Sequence, residues 1–112
     1  MNLVCLDMEG VLTPEIWIAL ATQTGISDLK RTTRDEPDYD KLMQGRLAIL
    51  ERHGLGLPDI QRVIAGMQPL DGARDFLTAL QAEVPLVILS DTFTQFAAPL
   101  RHALGDPVLL CN

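Results

Sequence analysis

The chain has 112 residues, 47% hydrophobic and 21% charged, which suits one globular domain with a modest core and excludes a disordered segment. Its net charge of −6 argues against nucleic acid or an anionic membrane surface as the partner, and no apolar run approaches the ~20 residues of a membrane span. No signal-like leader is visible, and Cys5 and Cys111 lie in apolar runs without metal or redox spacing, so a cytoplasmic protein with two buried free thiols is expected.

In chain order, residues 2–7 (NLVCLD) read as a short strand closed by a turn. Pro14 is expected to open a helix over 15–24, with Ile16, Trp17 and Leu20 on one side and Gly25 as its C-cap. Residues 30–40 are polar and contain a proline, so they read as a loop. Residues 39–53 have helical period, with Tyr39, Leu42, Met43, Leu47 and Leu50 as the apolar stripe. A further helix is expected near 58–67, and another over 71–83 with Phe76, Leu77 and Leu80 inward. "VPLVILSD" is a continuous apolar run of the kind found in a central parallel strand. A helix near 93–104 and a last strand in "PVLLC" follow.

This order predicts an α/β fold: a partial Rossmann-like parallel sheet of about three strands, with a helical block inserted after the first. Residues 1–14 and 69–112 form the expected core, incomplete as it stands. Residues 15–68 form the expected helical cap. Three parallel strands leave an exposed edge, so self-association into a homodimer, or completion by another chain, is expected.

Ligands of open parallel sheets bind at the carboxyl ends of the strands. Two strand ends here carry polar groups: Asp7-Met8-Glu9-Gly10 after the first, and Ser90-Asp91-Thr92 after the strong central run. A carboxylate can attack phosphorus, and a neighbouring acid can move the proton. Two acids and a phosphoryl group need a cation between them, for which Mg²⁺ is suited. A serine hydroxyl and backbone N–H groups at the second strand end would hold the remaining oxygens. The plainer alternatives are a solvated acidic turn at Asp7 and Glu9, and an N-cap at Ser90-Asp91.

Arg46 falls on the apolar stripe of its helix, so it either faces a partner or cleft, where its fork suits a carboxylate or phosphate, or snorkels at the stripe's edge. Glu15 lies a few residues past the acid pair. It serves either that cluster or simply the helix N-terminus.

These residues resemble the haloacid dehalogenase superfamily, and within it the phosphoserine phosphatases. The stretches "CLDMEGVLTPEIWIALATQTGI", "TTRDEPDYDKLMQGRLAILERHGL" and "VILSDTFTQF" carry the likeness. The superfamily pattern DxDx[TV] stands here as Asp7-Met8-Glu9-Gly10-Val11. The glutamate marks the bifunctional subfamily that combines phosphoserine hydrolysis with transfer to homoserine. The resemblance implies Asp7 as nucleophile and Mg²⁺ ligand, and Glu9 as general acid/base with its carbonyl on the metal. It implies that Ser90, Asp91 and Thr92 hold the phosphoryl group, and that Glu15 and Arg46 grip the amino and carboxylate groups of a small phosphorylated amino acid.

The pattern also departs from the family. No lysine follows Ser90, since the last is Lys41, and no later acid pair completes the metal site. The sequence therefore reads as the N-terminal half of such an enzyme, expected to be inactive or nearly so alone. Two other readings compete. A phospho-accepting receiver module would share the aspartate and Mg²⁺ but would alternate strands and helices throughout. A non-catalytic pseudoenzyme would use its open edge to self-associate.

Overall fold

In the computed structural model, which describes residues 1–112, the first apolar run becomes β1 (Val4–Leu6) and ends where the chain reaches Asp7. A strand-free stretch of helices follows: α1 (Ile16–Thr24), a short 3-10 turn at Ser27–Lys30, α2 (Tyr39–Arg52) and α3 (Leu57–Ala65). Then come α4 (Ala73–Glu83), β2 (Leu86–Leu89), α5 (Thr94–Ala103) and β3 (Leu109–Leu110). Local chemistry explains the boundaries. Gly25 closes α1 in a left-handed conformation (φ 75°), which costs glycine nothing. Asp38 caps α2 by accepting the Lys41 N–H, and Asp59 in the first turn of α3 accepts the Gly56 N–H at 2.8 Å.

The three strands are parallel in the order β1-β2-β3, with Val4 opposite Leu86 and Ile88 opposite Leu109. Both crossovers therefore step in the same direction across the sheet. Right-handed connections stepping the same way place their helices on the same face. The packing agrees, because Ala73 and Leu77 of α4 and Phe96 and Leu100 of α5 share one buried cluster with Leu86 and Ile88 of β2. That cluster also takes in Ile16, Leu20, Leu29, Leu50, Ile60 and Ile64, so the inserted helices and the sheet share a single core. The molecule is elongated, 48 × 28 × 20 Å, and its radius of gyration of 15.0 Å exceeds the roughly 13 Å of a compact domain this long.

The α/β class and the partial three-stranded sheet stand as expected, and several details do not. Pro14 precedes α1 rather than entering it, since Glu15 is the N-cap. The buried stripe of α2 is Leu42, Arg46 and Leu50, whereas Tyr39 and Leu47 are exposed. On α4 the inward residues are Ala73 and Leu77, and Phe76 is exposed because it lies off that stripe. Cys5 is exposed and Cys111 only half-buried, so neither is the sealed thiol expected. The helices α4 and α5 pack on one face of the sheet.

Leu100 is fully buried in the shared core, so Leu100→Ala should cost about 3 kcal/mol of stability, read as a lowered urea midpoint. Phe76→Ala should shift stability by no more than about 0.5 kcal/mol in the isolated chain, since its ring is exposed. A Phe76→Ala loss as large as that of Leu100→Ala would contradict this packing.

Candidate active site

Met8 has no exposed surface, while Asp7 before it is exposed and Glu9 after it is half-buried. The Met8 carbonyl accepts the N–H groups of Leu12 and Thr13 at 2.8 and 3.1 Å, closing a tight loop, and Gly10 donates to the Thr13 carbonyl. Gly10 sits at φ 78°, where a side chain would be strained. The loop is pinned from below by Leu12, whose carbonyl accepts the Leu70 N–H at 2.9 Å. Burying Met8 thus turns the carboxylates on either side of it toward the end of the strand.

Asp7 Oδ1 accepts the Met8 N–H at 2.7 Å. Glu9 Oε1 accepts the Ile16 N–H at 2.8 Å, so Glu9 caps α1 from seven residues upstream. Glu15, the positional N-cap, makes no such bond and lines the cleft instead. At the second strand end, Ser90 Oγ accepts the Thr92 N–H at 3.1 Å, and Thr92 is buried. Neither Ser90 nor Asp91 caps α5, whose N-cap is Phe93. The chain past β3 ties this loop down: the Asn112 N–H donates to the Thr92 carbonyl and the Asn112 amide to the Asp91 carbonyl.

These loops and the inserted helices enclose a cleft of about 340 Å³, lined by Asp7, Glu9, Glu15, Asp91 and Thr92 from the strand-end side and by Arg46 from α2. Ser90 lies just outside it, in an adjoining open groove that shares Asp7 and Asp91. Of the expected site residues, Asp7, Glu9, Glu15, Arg46, Asp91 and Thr92 line one cleft, and Ser90 lies in the groove beside it. Sequence reading missed Trp17, Thr32, Thr33, Tyr39, Phe93 and Phe96, which also line the cleft. Trp17 was legible only as a core residue. The two threonines lie in a stretch with no periodic signal.

Arg46 is 8% exposed. Its guanidinium lies 4.6 Å from the Trp17 ring centroid, and Nη2 donates to the Arg31 carbonyl at 2.9 Å. Nε is buried without a partner, and Arg46 makes no ion pair. It is the only basic residue lining the cleft, against four carboxylates. Burial pulls its pKa down, while Tyr39, Glu9, Asp91 and Glu15 act to hold its charge. Burial also pushes the Glu9 carboxyl above its ordinary value; the Ile16 N–H opposes this, and the charges of Asp91, Asp7 and Glu15 add to it. No three His, Cys, Asp or Glu side chains of this chain come together as a metal site.

A parallel α/β sheet with carboxylates gathered at its strand ends, facing a buried arginine, defines the class: an α/β protein with a charged cleft at the carboxyl ends of its strands. Comparison with known proteins narrows this class. The chain is 59% identical over 112 residues to the phosphoserine phosphatase ThrH of Pseudomonas aeruginosa, covering all of this chain and 55% of that protein. It is 57% identical over 111 residues to a phosphoserine phosphatase of Pseudomonas syringae pv. tomato, covering 99% of this chain and 47% of that one. The chain is thus homologous to phosphoserine phosphatases and spans about half the length of the curated relatives it matches. No protein-family model matches it.

A raised Glu9 pKa means that the folded state binds a proton more tightly than the unfolded chain, so stability falls as pH rises from the ordinary glutamate value of 4.5 through the folded value. Glu9→Gln keeps an acceptor for the Ile16 N–H and cannot ionise. Urea titrations should find the variant at least as stable as the parent at pH 7, with the advantage disappearing well below pH 4.5. A glutamine variant less stable at pH 7 than at pH 4 relative to the parent would reverse the sign.

Proposed function

We propose that this chain forms the phosphoserine-binding and nucleophile-bearing part of a Mg²⁺-dependent phosphatase working through an aspartyl-phosphate. The carrying observation is the meeting of Asp7, Glu9 and Asp91 with a buried, unpaired Arg46 across one cleft. In this reading an Asp7 oxygen attacks phosphorus while the bond from phosphorus to the serine oxygen breaks. Glu9, protonated, gives its proton to that departing oxygen and serine leaves. Glu9 then takes a proton from water, whose oxygen attacks the same phosphorus and frees Asp7 and phosphate. The raised Glu9 pKa supports the acid role, and the bond from Ile16 to Oε1 holds the side chain so that Oε2 carries the proton. Homoserine in place of water would make the second step a transfer.

Arg46 is assigned to the substrate carboxylate, Glu15 to its ammonium group, and Ser90 with the Asp91 and Thr92 backbone to the phosphoryl oxygens. The inserted helices, residues 15–68, act as a cap that excludes water. Mg²⁺ is the expected cofactor, offsetting phosphoryl charge. This chain's donors do not complete its coordination, and Arg46 alone cannot balance four carboxylates and a phosphate dianion. The 112-residue chain by itself is therefore proposed to bind substrate without appreciable turnover.

Calorimetry with phosphoserine and Mg²⁺ should show Arg46→Met weakening binding at least tenfold, about 1.4 kcal/mol. An unchanged Kd would sink the assignment of Arg46. Phosphate release from phosphoserine, run beside Asp7→Asn, should be near background in both. Release that vanishes only in the variant would show that the cleft's own residues suffice.

A further inference from the structure

We propose that Trp17 is a positioning residue for substrate binding: its indole face keeps the Arg46 guanidinium charged and oriented while no anion is bound. The inference rests on the assignment of Arg46 to the substrate carboxylate. Arg46 is 8% exposed, burial works against its charge, and no carboxylate of the chain pairs with it. Its hydrogen-bond partners are few. Nη2 donates to the Arg31 carbonyl at 2.9 Å, Nη1 reaches only the Met43 thioether sulfur at 3.5 Å, a weak acceptor, and Nε has none. The remaining support for the charge is Trp17, since Cζ lies over its ring at 4.6 Å from the centroid. A protein carboxylate in that place would take up the N–H groups that an incoming carboxylate needs. A ring face attracts the cation through its quadrupole and leaves those groups free.

Trp17 is itself held by aromatic neighbours. Its ring meets Phe96 edge to face, with centroids 6.3 Å apart and planes at 71°, and Phe96 meets Phe93 in the same way at 5.4 Å and 86°. Phe96 is buried on α5, and Phe93 directly follows Thr92 in the loop after β2. All three rings line the cleft. An aromatic row therefore runs from Arg46 to the loop assigned to the phosphoryl oxygens. The neighbour of Trp17, Ile16, gives its N–H to Glu9, so the first turn of α1 braces both the proton-carrying acid and the arginine. The row sets Arg46 at a fixed separation from the phosphoryl loop. Trp17 thus contributes to the binding of ligands that carry a carboxylate as well as a phosphate, and little to those that carry the phosphate alone.

Calorimetry with Mg²⁺ tests this by comparing phosphoserine with phosphoethanolamine, which keeps the phosphate and ammonium groups and lacks the carboxylate. Trp17→Leu should weaken phosphoserine at least about fivefold and phosphoethanolamine less than about twofold, the second ligand also showing that the variant is folded. Trp17→Phe, which keeps a ring face, should recover most of the loss. In an Arg46→Met background, Trp17→Leu should cost nothing further. Trp17 is the only tryptophan, so Arg46→Met should also shift the emission of the ligand-free chain. Equal weakening of both ligands, an equal loss in Trp17→Phe, additive losses in the double variant or unchanged emission would each overturn the proposal. Unchanged phosphoserine binding by Trp17→Leu, beside an Arg46→Met that weakens it, would overturn the role of Trp17 alone. Unchanged binding by Arg46→Met would remove the assignment of Arg46 and the proposal with it.

Discussion

The placement of Met8 is the constraint on which the site depends. Its side chain is fully buried and its carbonyl closes the loop through Leu12 and Thr13, so the residues on either side cannot turn inward. Asp7 and Glu9 thereby line one cleft with Asp91, where burial first, and the neighbouring carboxylates after it, push the Glu9 carboxyl above its ordinary value. The loop also anchors the helical block, since Glu9 caps α1 and Leu12 accepts the Leu70 N–H where the chain returns toward the sheet. The acids and the wall opposite them are therefore positioned by the same few residues.

Arg46 is the counterpart of this cluster. A guanidinium buried to this degree ordinarily has a carboxylate partner, and here it has an indole face, the Arg31 carbonyl, the Met43 thioether sulfur and an orphaned Nε. The four carboxylates lie across the cleft rather than in contact with it. An anionic ligand group would satisfy the arginine, and a cation would satisfy the acids. The two demands are complementary, and the proposed substrate, bearing both carboxylate and phosphate, would meet them together with a metal ion.

Much of this was legible in the sequence because the signals were local. Apolar runs ending in Asp7 and Ser90-Asp91 marked strand ends, and the helical period put Arg46 on the apolar stripe without deciding between a cleft and the stripe's edge. The misread details share a non-local cause. Phe76, Leu47 and Cys5 were taken as buried because each sits in an apolar pattern, yet burial depends on what lies opposite, and the opposing layer is missing for Cys5. The capping of α1 by Glu9 was equally hidden, because the nearer Glu15 was the obvious choice and only the geometry of the loop hands the bond to a residue seven positions away.

The open face and the incomplete charge balance are two consequences of one topological fact. A sheet that grows in a single direction from β1 collects helices on one side only. It also leaves the strand that carries the principal carboxylate at its edge. In such a fold the apolar surface and the electrostatic deficit lie next to each other, linked by the groove that runs from Leu89 and Leu110 to Asp7 and Asp91. The same groove thus presents apolar side chains and carboxylates side by side to solvent.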